Sequence, residues 1–104
     1  MLFIETTIFT KEIQKLIADD SYRELQAALV LRPDAGDLIK GSGGLRKIRW
    51  SLRGKGKRGA IRIIYYWDAP DIIYMLFPYK KNEQEDLTQN QLKLLKELVK
   101  DFLK

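Results

Sequence analysis

The 104-residue chain contains no cysteine and no histidine. Without cysteine there is no disulfide scaffold, no thiolate nucleophile and no thiolate metal site. Without histidine, the commonest acid–base group near neutral pH and the commonest zinc ligand are both missing. Chemistry must come from Lys, Arg, Tyr, Asp, Glu, Ser or Thr. Long apolar runs are lacking too. The longest candidate, Ile72 to Phe77, is strand-sized and far short of the ~18–20 residues that span a bilayer. The start, Met1 to Phe9, has neither a basic opening nor an extended apolar run, so no secretory signal is expected. The default expectation is a cytoplasmic protein with no membrane partner.

Acidic residues are also missing from one continuous segment. Between Leu38 and Trp67 there is no Asp or Glu. Nine of the 19 Lys and Arg residues fall there: Lys40, Arg46, Lys47, Arg49, Arg53, Lys55, Lys57, Arg58 and Arg62. The net charge of +5 is thus concentrated in one stretch, the footprint of a surface that binds a polyanion. A solvated basic loop would explain a charge run alone, so the placement of these residues on strands decides the matter. The hydrophobic fraction of 45% is enough for one core, and residues 1–104 are expected to form one domain.

Leu2 to Glu5 is a short apolar run fit for a strand. Ile8, Phe9, Ile13, Leu16 and Ile17 recur at helical spacing. Ser21 with Glu24 has the spacing of a capping box and predicts the start of a second helix there, with Tyr22, Leu25, Ala28 and Leu29 as its apolar face. Pro33 ends that helix, and Pro33 to Gly44 reads as a loop. In Leu45 to Leu52, Ile48, Trp50 and Leu52 share one parity, while Lys47, Arg49 and Ser51 share the other. Arg46 stands out of pattern on the apolar side. Gly54 to Gly59 is a basic, glycine-rich connection. Ala60 to Trp67 is a β-branched and aromatic strand. Asp68 to Asp71 is a turn by composition. Ile72 to Phe77 is apolar on both parities, as a strand covered on both faces would be, and Pro78 marks its end. Thr88 with Gln91 is another capping box, followed by the stripe Leu92, Leu95, Leu98, Val99 and Phe102 of a terminal helix. The order β-α-α-β-β-β-α predicts an α+β domain: a small antiparallel sheet, with two N-terminal helices and a C-terminal helix against one face.

A loop centred near residues 55–56 sets Arg49 opposite Arg62 and Lys47 opposite Ile64. Lys47, Arg49, Arg62 and Tyr66 then share a face, with Lys47 and Arg49 ~6.6–6.8 Å apart along their strand, the scale of a phosphodiester. Like charges placed opposite one another destabilise a sheet and call for a compensating partner, which a polyanion supplies. RNA can be cut by its own 2′-hydroxyl attacking the adjacent phosphate. Arg stabilises the added phosphorane charge, and a Lys crowded by cations can transfer a proton. Aromatics interleave with these cations and offer faces on which bases stack. Trp50, Tyr65 and Trp67 lie on core parity. Tyr66 and Tyr79 are candidate RNA contacts, together with Arg46, Arg53, Lys55, Lys57 and Arg58.

Gly43-Gly44-Leu45-Arg46-Lys47-Ile48-Arg49, the basic glycine loop, Arg62-Ile63-Ile64-Tyr65-Tyr66 and Tyr79-Lys80-Lys81-Asn82-Glu83 follow one another in that order. This pattern resembles the RelE superfamily of toxins, HigB-type branch, over nearly the whole chain. The resemblance implies an α+β, metal-independent toxin that acts in the ribosomal A site, against 16S rRNA, and cleaves mRNA there. It also implies a tightly bound cognate antitoxin. By the same resemblance Lys47, Arg49, Arg62 and Lys81 are the catalytic candidates, with Lys80 beside them as an RNA contact. Lys47 or Lys81 would transfer protons; Arg49 and Arg62 would hold phosphate. The family's C-terminal tyrosine has no counterpart: Leu87 stands at that place, and no tyrosine follows Tyr79. Two other classes fit the charge pattern: an RNA- or ribosome-binding module that blocks translation without cutting, and an interaction protein whose basic face receives an acidic partner.

Overall fold

The computed structural model describes residues 1–51 and 60–104. Arg53, Lys55, Lys57 and Arg58, four of the expected RNA contacts, lie outside the described residues. The element order is β1 (Leu2–Glu5), α1 (Thr7–Leu16), α2 (Asp19–Leu31), β2 (Asp37–Leu38), β3 (Leu45–Trp50), β4 (Ile61–Asp68), β5 (Ile72–Lys80) and α3 (Gln89–Phe102). The α+β class is as expected, with the short β2 added inside what reads as a loop. The strands form one sheet in the order β1-β5-β4-β3-β2. Its β2 to β5 part is antiparallel. β1 joins β5 in parallel, pairing Leu2 with Ile72 through Glu5 with Met75, so the sheet is mixed. This places β5 inside the sheet, as its apolar composition on both parities demands.

The helices do not share one face, which corrects the expected layering. α1 and α2 cover one side through Phe9, Ile13, Ile17, Leu25 and Leu29, against Ile48, Ile61, Ile63, Tyr65, Ile73 and Met75. α3 covers the other through Leu95 and Val99, against Leu45, Ile64, Tyr74, Leu76 and Tyr79. The reason lies in the strands. Each parity of the central strands is apolar, so each needs a cover, and the α3 stripe supplies the second.

Two boundaries differ from the sequence reading. α2 begins at Asp19, not at Ser21, and its N-cap Ala18 contributes no side-chain bond. Asp19 and Asp20 instead put carboxylates in the first turn, where the helix dipole favours them. Ser21 Oγ accepts from Trp50 Nε1 at 3.2 Å. β5 runs through Pro78 to Lys80. Pairing with β1 stops at Met75, so the far end of β5 is an edge on that side, where proline is tolerated.

Thr6 joins the first strand to the first helix. Its Oγ1 accepts from Phe9 N at 3.0 Å and donates to Leu76 O at 2.8 Å. The segment before β3 is held by Tyr65, whose hydroxyl donates to Pro33 O at 2.7 Å and accepts from Gly36 N at 2.8 Å. A Cβ on Gly36 would lie 2.8 Å from Tyr65 Cε1, so glycine is required there for close approach. Gly44, at φ +113°, passes the Tyr66 ring in the same way: a Cβ there would lie 2.9 Å from Cε2. These contacts fix where β3 starts, and hence which face Lys47 and Arg49 share. No helix among the described residues is long and apolar enough to cross a membrane.

Candidate nucleic-acid interface

The β3–β4 register is the one the loop-centre argument requires: Lys47 opposite Ile64, and Arg49 opposite Arg62. β5 then sets Tyr79 opposite Arg62. Arg49, Arg62 and Tyr79 therefore form one row across three adjacent strands, spaced by the ~4.8 Å between neighbouring strands. Lys47 begins the next row, two residues along β3. All four lie on the α3 side of the sheet, because Leu45, Ile64 and Tyr79 pack there. Arg62 is buried, with only 6% of its surface exposed, and Arg49 is exposed. Among the described residues, no carboxylate lies within ion-pair distance of Arg62.

A bulge between Ile64 and Tyr65 adjusts this row. Tyr65 pairs with Met75 and Ile64 with Phe77, so Leu76 is the extra residue. Leu76 and Phe77 consequently both pack on the α3 side, and the parity of β5 is reset before Tyr79. Tyr79 is buried, its ring 5.9 Å from that of Phe77. Its hydroxyl has no hydrogen-bond partner among the described residues. Burial pushes the Tyr79 phenol up from its ordinary value; the nearby Asp86 carboxylate adds to this and the Arg62 guanidinium opposes it.

Asp86 is the residue that the sequence reading missed. It lies between β5 and α3, and its Oδ1 accepts from Lys47 Nζ at 2.8 Å. The hydrogen bond and charge of Lys47 hold its carboxyl below the usual carboxylate range; Arg49 and Arg62 add to that. One carboxylate thus senses all three cations of the face. Its backbone is fixed from behind: Gln84 Nε2 donates to Asp86 O at 3.0 Å and to Gln91 Oε1 at 2.9 Å. Gln91 Oε1 also closes the capping box on Thr88 N. The capping box was legible in the sequence. That the preceding turn returns over β3, 39 residues away, was not.

The other candidates divide. Lys81 is exposed just beyond β5, its backbone N donating to Ala60 O at 3.5 Å, so it sits at the strand end nearest the Arg62 row. Lys80 alternates to the face opposite Tyr79, and its Nζ is 4.0 Å from Glu83 Oε1. Tyr66 shares the α3 face but is packed into the core, 6.5 Å from the ring of Tyr74. Arg46 stands apart. It points to the α1/α2 side, where its Nη1 donates to Gly36 O at 2.8 Å and Asp34 O at 3.2 Å. Its charge thereby fastens the segment before β3.

A cationic row with a phenol beside it can hold a phosphate through several donors at once and offset charge that develops on it. A family model described as the RelE toxin of the RelE/RelB toxin–antitoxin system matches residues 3–104. The match spans all but the first two residues, and it implies a cognate antitoxin as partner. The chain belongs to the RelE family of toxins.

Proposed function

We propose that this toxin is a ribosome-dependent mRNA endoribonuclease of the HigB type, acting in the cytoplasm on message held in the ribosomal A site. The observation that carries the reading is the Arg49–Arg62–Tyr79 row with Lys47 beside it, cations gathered on one face by strand register alone. In the reaction, the 2′-oxygen of one nucleotide attacks its 3′-phosphorus, the 5′-oxygen of the next nucleotide leaves, and a 2′,3′-cyclic phosphate remains. Arg49 and Arg62 bind the non-bridging oxygens and offset the added charge of the phosphorane. The buried Tyr79 hydroxyl, which lacks a partner among the described residues, donates to the same phosphate. Of Lys47 and Lys81, one takes the proton released by the 2′-hydroxyl and the other gives a proton to the leaving 5′-oxygen. Charge neutralisation by Lys and Arg leaves no step that needs a metal. Lys80 and the basic residues between β3 and β4 contribute phosphate contacts along the message or 16S rRNA.

A second reading, a module that blocks translation without cutting, is favoured by Leu87 at the place of the family tyrosine. Primer extension on a reporter mRNA after a pulse of expression separates the two. New 5′ ends within translated codons, absent when the same message is not translated, are expected. Arrest of translation with no new ends would leave the blocking module.

A further inference from the structure

The face read above as an RNA-phosphate seat already holds an anion. Asp86 Oδ1 sits 2.8 Å from Lys47 Nζ. Asp37, the cross-strand neighbour of Lys47 on β2, forms no ion pair with it among the described residues. The Lys47 side chain is 21% exposed, that of Asp86 72%. The ammonium is therefore covered from outside by a carboxylate that is itself free to leave into water. Gln84 and the Thr88–Gln91 cap hold the Asp86 backbone, but no described residue other than Lys47 bonds its carboxylate.

A carboxylate presents two oxygens sharing one negative charge, as the non-bridging oxygens of a phosphodiester do. With Lys47, Arg49 and Arg62 all holding its pKa down, Asp86 is an anion throughout the neutral range. Resting on the RNA-cleaving reading of this face, we propose that Asp86 is a built-in occupant of the phosphate seat, whose carboxylate holds Lys47 in place until an RNA phosphate displaces it. Asp86 is a positioning residue in this scheme and touches no reacting atom. Binding of RNA exchanges one anion for another at Lys47. The Coulombic gain is smaller than the cations alone would give, and one of the three positive charges of the face, that of Lys47, stays paired when no RNA is present.

The test uses the full chain and a single-stranded RNA oligonucleotide methylated on its 2′-oxygens, so that it cannot be cut. Its affinity is measured by fluorescence anisotropy over a salt series, for wild type, Asp86→Asn, Lys47→Gln and the double variant. Asp86 is exposed and the amide is isosteric, so thermal melting checks that the fold is kept. Asp86→Asn should bind about two- to five-fold more tightly, the range set by an exposed ion pair. Its log-log salt slope should steepen by about 0.7, one more effective phosphate contact on a single strand. In the Lys47→Gln background the gain should vanish. In cleavage assays Asp86→Asn should lower KM. Unchanged or weaker binding by Asp86→Asn, an equal gain without Lys47, or a fall in kcat at constant KM would each overturn the proposal while leaving the phosphate seat intact. No binding by any of the four proteins would overturn the proposal, and primer extension on translated message then decides the RNA-cleaving reading on its own.

Discussion

Replacing Arg62 with methionine should separate what the site does from what holds the fold. Arg62 is 6% exposed, lies directly opposite Arg49, and has no carboxylate within ion-pair distance among the described residues. Like charges facing each other across a sheet cost on the order of 0.2–1 kcal/mol. Methionine fills a similar length of buried space without the charge, so relief of that repulsion leaves stability unchanged or raises it by up to about 1 kcal/mol. For a domain of this size that is an upward shift in Tm of at most about 4–8 °C. Activity should move the other way. Loss of one preorganised donor to a developing oxyanion costs about 10²–10³ in kcat, or about 2.7–4 kcal/mol. Calorimetry gives the first number, and mRNA cleavage in a reconstituted translation system gives the second. A variant that melts several degrees lower yet cuts at the wild-type rate would refute the reasoning on both counts, since Arg62 would then be a structural cation.

Tyr65→Phe removes the hydroxyl that ties Pro33 O and Gly36 N together and leaves a buried N–H unpaired; denaturant unfolding should show a loss of about 2–4 kcal/mol, and affinity for RNA should hold. Gly36→Ala forces a Cβ to within 2.8 Å of the Tyr65 ring and 3.1 Å of the Lys47 backbone, and should cost about 1–3 kcal/mol by thermal melting, with Tyr65→Phe and Gly36→Ala non-additive because they share one contact. Tyr22, Tyr65 and Tyr79 all have phenols raised above their ordinary values, chiefly by burial, with the Glu5 hydrogen bond and charge adding at Tyr22. A raised folded pKa contributes stability that is complete below the unfolded value of about 10 and is lost as pH rises through the folded one. Melting temperature should therefore fall above about pH 10, and Tyr22→Phe should fall less steeply than wild type; parallel curves would remove Tyr22 from that account.

Much of this protein was legible from local pattern. Leu2–Glu5 and the α3 helix with its Thr88–Gln91 cap appear where period and capping chemistry put them. So does the pairing of Arg49 with Arg62, because alternation along a strand and the centre of its hairpin determine facing without knowledge of the rest of the chain. Parity also set Arg46 on the apolar side, and the fold uses it there to fasten the backbone of Asp34 and Gly36. Ser21 and Pro78 misled for one shared reason: a capping pattern or a proline states a local preference, and partners distant in sequence override it. Trp50 engages Ser21, and an unpaired edge accommodates Pro78. Amphipathic stripes declare that α1, α2 and α3 each bury a face, but they are silent on which side of the sheet receives it. Only the tertiary structure divided the helices between two faces, laid β1 parallel to β5, buried the Tyr79 hydroxyl beside Arg62, and brought Asp86 onto Lys47. Each of these depends on pairs far apart in the chain, whose closure is governed by the packing of the whole sheet and by no signal within a window of a few residues.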